Sequence, residues 1–120
     1  MQKRRLMGKS YSVREAQEVK SIIQTEKECF LCKKYFGESV TQGLHEHHVC
    51  EGWANRRVSE RLGLKVWLCP PHHNMSDHGV HFNPEIGVEL KKIAQRKYEE
   101  THSREEWMAE IGRNYLEDDD

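Results

Sequence analysis

The chain has 120 residues, among them 19 Lys or Arg, 20 Asp or Glu, 8 His and 4 Cys, and a formal net charge of -1. That length supports one compact domain, and with 36% apolar and 32% charged residues its core is thin enough to need a further source of stability. No run approaches the roughly 18 to 20 apolar residues of a membrane helix, and no apolar segment follows the basic start MQKRRLMGKS, so a cytoplasmic protein without membrane span or secretory signal is expected.

In chain order, residues 1–27 read as a basic arm and helix. Residues 1–36 hold nine basic against four acidic side chains, a balance that permits nucleic-acid contact. Ser12 and Glu15 fit a capping box, and Val13, Ala16, Val19, Ile22 and Ile23 recur at helical spacing, so a helix is predicted over 13–25. Residues 28–36, ECFLCKKYF, read as a knuckle turn between extended pieces. Residues 44–49 and 64–68 have strand character. Between them Gly52 marks a turn, and 55–62 is ambiguous between a loop and a helical turn. Asn83 followed by Pro84 starts a helix running to about residue 100. Ser103 with Glu106 forms a second capping box, for a short helix stopped by Gly112. A domain over 28–116 and an acidic tail over 117–120 complete the reading. Trp53, Trp67 and Trp107 are expected in or near the core, with nucleic-acid contact as the alternative for Trp53.

Cysteine and histidine are concentrated in the middle of the chain. All four cysteines lie between Cys29 and Cys69, and seven of the eight histidines between His45 and His81. In a chain read as cytoplasmic this pattern points to metal rather than disulfides. Cys29-x2-Cys32 and Cys69-x2-His72 supply four ligands suited to tetrahedral, redox-silent Zn2+, which would staple the two ends of a thin domain. Cys50 is the alternative fourth ligand, though an ordinary buried thiol is the preferred reading for it. His47, His48, His73 and His81 are among the histidines left once that site is filled. On a strand, His47 and His48 point to opposite faces, so one can bind a metal while its neighbour faces a substrate.

Cys29-x2-Cys32, His47-His48, Asn55 and Cys69-x2-His72-His73 together resemble the HNH nucleases, also called ββα-metal or His-Me finger nucleases. HEHHVCEGWANRRVSERLGL and VWLCPPHHNMSDHGVHFN look closest to small phage HNH proteins related to the recombination-enhancement, RecA-dependent nuclease. The resemblance covers about residues 28–116. It implies an α+β fold, a small zinc-stapled ββα-metal core with flanking helices, and metal-dependent hydrolysis of DNA in phage recombination or DNA processing. It makes His48 the general base, His47 and His73 ligands of a catalytic divalent metal (Mg2+, Mn2+, Zn2+ or Ni2+), and His81 the third ligand, with Asp77 and His78 as alternatives. His45 is a further ligand or supporting group. Asn55 matches the family's bracing Asn, although that residue usually lies nearer the second strand. Arg56 and Arg57 are placed to hold flanking phosphates. DNA is the expected substrate, and a recombinase or another phage DNA-processing protein the expected partner. The competing function is a non-catalytic zinc-finger module that binds nucleic acid or protein.

Overall fold

The computed structural model describes residues 19–75 and 83–116, apart from the side chains of Asn74 and Met75. The basic arm, residues 13–18 of the predicted first helix, Asp77, His78, His81 and the acidic tail lie outside the described residues. The elements are α1 (Phe30–Phe36), β1 (His45–His48), α2 (Trp53–Leu62), β2 (Lys65–Leu68), a π-helical turn (Pro71–Met75), α3 (Pro84–Tyr98) and α4 (Arg104–Ile111). The architecture is α+β, a two-stranded antiparallel sheet with helices around it.

Two local expectations are corrected. Residues 28–36 are not a knuckle between extended pieces, because Phe30–Phe36 is helical. The thiol of Cys29 caps this helix by accepting the Cys32 amide at 3.4 Å. Gly37, at φ 69°, closes the other end in the left-handed region. Residues 19–25 are not helical either. Ser21 Oγ accepts the amides of Ile23 and Gln24, both at 3.0 Å, and donates to the Lys65 carbonyl at 2.6 Å. The Ile22 amide donates to the Gly63 carbonyl at 2.9 Å, and Gln24 Oε1 accepts the Trp67 amide at 2.9 Å. The segment thus satisfies the open edge of β2. Those tertiary bonds outweigh the helical spacing of a few apolar residues.

The sheet register pairs His45 with Leu68, Glu46 with Trp67, His47 with Val66 and His48 with Lys65. Its connection is the whole of α2 instead of a tight hairpin, and this resolves the ambiguous stretch 55–62 as helix. Ser59 ties α2 to the end of β1: its buried hydroxyl accepts the Cys50 amide at 3.0 Å and donates to the Cys50 carbonyl at 2.9 Å. Arg61 forks onto Glu110 at 2.6 and 3.1 Å, linking α2 to α4. Val49, Leu64, Val66 and Leu68 join Leu31, Leu90 and Trp107 in the core.

The chain after the sheet follows its caps. Asn83 Oδ1 accepts the Glu85 amide at 3.1 Å at the start of α3, and the Ser103–Glu106 capping box is complete at the start of α4. Buried Gln95 holds the last segment by donating to Asn114 Oδ1 at 2.9 Å and accepting the Tyr115 amide at 2.7 Å. Trp107 is fully buried, and its indole donates to the Arg113 carbonyl at 2.7 Å.

One glycine is required by both backbone and packing. Gly63 ends α2 at φ 78°, and a Cβ there would collide with the Lys20 carbonyl and lie 3.2 Å from Ile22. Gly63→Ala should lower unfolding free energy by at least about 1–2 kcal/mol from backbone strain alone. Urea denaturation checks this, and an unchanged midpoint would contradict the packing of 20–22 on the α2–β2 corner.

Candidate functional site

The helix start at Cys29 and the turn after β2 bring four ligand atoms together. Cys29 at the cap and Cys32 one turn later present their sulfurs to the same side. The turn after Cys69 is closed by the His72 amide donating to the Cys69 carbonyl at 3.0 Å. His72 Nδ1 then lies 3.5, 3.4 and 3.3 Å from the sulfurs of Cys29, Cys32 and Cys69, and the sulfurs of Cys32 and Cys69 are 3.7 Å apart. A tetrahedral zinc with bonds of about 2.3 Å to sulfur and 2.0 Å to nitrogen has edges of about 3.5–3.8 Å. The set could therefore bind a metal ion and is compatible with structural zinc. Its electrostatics favour a cation: burial and the adjacent Cys29 and Cys69 sulfurs push the Cys32 thiol up to about 12, a cost of multiple thiolates that a divalent ion relieves. Cys50 stands apart as a buried thiol bonded through its backbone to Ser59, and is not in this set.

Strand β1 sorts its histidines by face. His45 and His47 turn toward His73, with ring centroids 5.1 and 5.5 Å from it, and His45 Nδ1 is 3.0 Å from His73 Nδ1. His47 is buried, with Nε2 3.6 Å from Glu51. His48 points the other way and meets Glu60 of α2, its Nε2 lying 2.8 Å from the carboxylate. Both faces border a cleft of about 310 Å³ whose walls include Glu46, His47, His48, Glu51, Arg56 and His73.

Behind His48 is a charge cluster that spacing alone does not reveal. Lys65, only 2% exposed, places Nζ 2.8 Å from Glu60 and 3.3 Å from Glu46. Burial opposes its ammonium, but the two carboxylates outweigh burial and raise its pKa. Burial likewise opposes ionisation of Glu60, while hydrogen bonds from Lys65 and His48 outweigh it and hold that carboxyl below its usual range. Glu46, His48 and Glu60 also lie close enough to hold a metal, yet the Lys65 ammonium already supplies a cation to both carboxylates. An ionised carboxylate only accepts, so the nitrogen that His48 turns to Glu60 carries the proton. In the neutral ring, Nδ1 then holds the lone pair.

The structure thus brings Cys29, Cys32, Cys69 and His72 into one set, and gathers His45 and His47 about His73, of which His47 and His73 line the cleft. Arg56 lines that cleft, and Arg57 lines an adjoining one with His48 and Glu60. Asn55, open between a loop and a helical turn from sequence, lies in the first turn of α2. The described side-chain partner of His48 is Glu60. Glu60 and Lys65 are the residues sequence reasoning missed. Their one signal was a lysine at a strand position opposite His48, legible only once the register was known. No protein-family model matches the chain, and no curated protein and no solved structure matches it significantly.

Proposed function

We propose that this protein is a metal-dependent endonuclease that hydrolyses DNA phosphodiester bonds, with zinc in the Cys29–Cys32–Cys69–His72 set as a structural staple. The observation that carries the reading is the split of adjacent histidines across one strand: His47 faces His73, His48 is held by Glu60, and both open on one cleft. In this reading His47 and His73, with His81, would hold a divalent cation. When bound, that cation stabilises charge on the phosphoryl and leaving oxygens. His48 Nδ1 takes a proton from the attacking water. Glu60, itself held by Lys65, keeps the ring turned and its proton on Nε2, the positioning role that the resemblance would give Asn55. Arg56 and Arg57 hold phosphates on either side of the cut. DNA processing beside a recombinase of phage type belongs to the same proposal.

The direct test is cleavage of supercoiled and single-stranded DNA across Mg2+, Mn2+, Zn2+ and Ni2+, wild type against His48→Ala. Glu60→Gln gives a second measurement. It should lower turnover at least about tenfold with little change in KM. Long-range 1H–15N spectra should show His48 losing its single Nε2–H tautomer. Full turnover, or an unaltered tautomer, would remove Glu60 from the mechanism.

A further inference from the structure

Helical spacing places Trp53, Arg56, Arg57 and Glu60 on one face of α2, the face across from His48. Trp53 is 81% exposed, the most exposed large apolar side chain among the described residues and the one tryptophan that departs from a core reading. An indole left in water at the mouth of a cleft is an unusual use of a large apolar surface. The Arg57 guanidinium lies over the ring, 4.9 Å from its centroid, and the rest of the indole faces solvent. One turn on, Arg61 pairs with Glu110, whereas neither Arg56 nor Arg57 has a carboxylate partner among the described residues. The cleft these side chains line measures about 610 Å³ and reaches His48 and Glu60.

A flat aromatic face, an arginine stacked on it and a second arginine beside it match the chemistry of an unpaired nucleobase with its flanking phosphates. Stacking recognises any base, because every base has a π face, and the arginines answer the phosphate charge. A base inside a duplex offers its edges, with both faces already stacked. We infer that Trp53 and Arg57 form a stacking platform for an unpaired base of single-stranded DNA, holding the strand so that its backbone passes His48. This rests on the nuclease reading for its purpose, since it names the substrate class of the same site, but its test reads binding alone.

The test uses the full zinc-loaded chain with no second metal added, so that no strand is cut. Tryptophan emission and the anisotropy of labelled oligonucleotides are followed with dT12 and with a 12-base-pair duplex. Single-stranded DNA should quench emission, and the quench should disappear in Trp53→Ala. Trp53→Ala should weaken dT12 binding about tenfold or more and change duplex binding less than about twofold. Trp53→Phe should recover most of the dT12 affinity. Because Trp53 is exposed, the variants should keep their zinc and melting temperature. Unchanged dT12 affinity in Trp53→Ala, or equal losses on single strand and duplex, would overturn the platform. Selective single-strand binding without metal-stimulated cleavage would keep the platform and remove the enzyme. Cleavage that survives Trp53→Ala with unaltered single-strand binding would do the reverse.

Discussion

His48→Ala is expected to cut DNA at least about 100-fold more slowly than wild type, at unchanged zinc content and near-normal DNA affinity, as removing a general base predicts. His48 touches Glu60 and borders the cleft but contributes nothing to the Cys–His set, so the loss should fall on turnover. His47→Ala and His73→Ala should fail differently. His47 lies on the opposite face of the strand and its ring approaches that of His73 in the turn after β2, so loss of either should weaken affinity for the added divalent metal, and raised metal concentration should partly restore cleavage. Supercoiled-plasmid nicking at several metal concentrations separates the two patterns. If His48→Ala cleaves as fast as wild type, the proposed mechanism is wrong whatever the fold. If wild type shows no metal-stimulated cleavage, the chain is a binding module.

Cys69→Ser, or removal of the metal by a strong chelator, should unfold the domain at room temperature. A structural zinc contributes on the order of 10–16 kcal/mol of apparent binding free energy at neutral pH, comparable with the roughly 5–15 kcal/mol net stability of a whole domain. The four ligands join the start of α1 to the turn after β2, so their release frees the two segments that enclose the sheet. Far-ultraviolet circular dichroism with metal analysis reads the outcome: one zinc per folded wild-type chain, and loss of both zinc and cooperative melting in Cys69→Ser. Cys50→Ser is the control. Its thiol lies outside the set, so that variant should keep one zinc and a cooperative transition. A folded, zinc-free Cys69→Ser protein would show that the core stands alone.

How far residues announced their roles depended on the range of the interaction. The start of α3 was legible because Asn83 bonds to an amide two residues on, and the start of α4 because Ser103 and Glu106 bond each other. The four zinc-type ligands were legible because each pair sits three residues apart, a separation one helical or tight turn brings to one side. The strand positions of His47 and His48, and hence their opposite faces, follow from a period of two. Local spacing misled where a short segment had a distant partner. Residues 19–25 have helical spacing but are held to β2 by Ser21, Ile22 and Gln24.

Which chemical groups are available can be read along the chain: three thiols and an imidazole at turn spacing, adjacent histidines on a strand, and two neighbouring arginines. What those groups meet follows from the packing of distant segments. With α2 as the connection between β1 and β2, the register sets His48 opposite Lys65 and turns both toward Glu60. The packing of α1 against the turn after β2 carries His72 Nδ1 to within 3.5 Å of three sulfurs. Hydrogen bonds within a turn depend on residues a few places apart. The contacts of buried Lys65 and of His48 depend on a strand register and a helix docking angle, which the burial of the whole core selects at once.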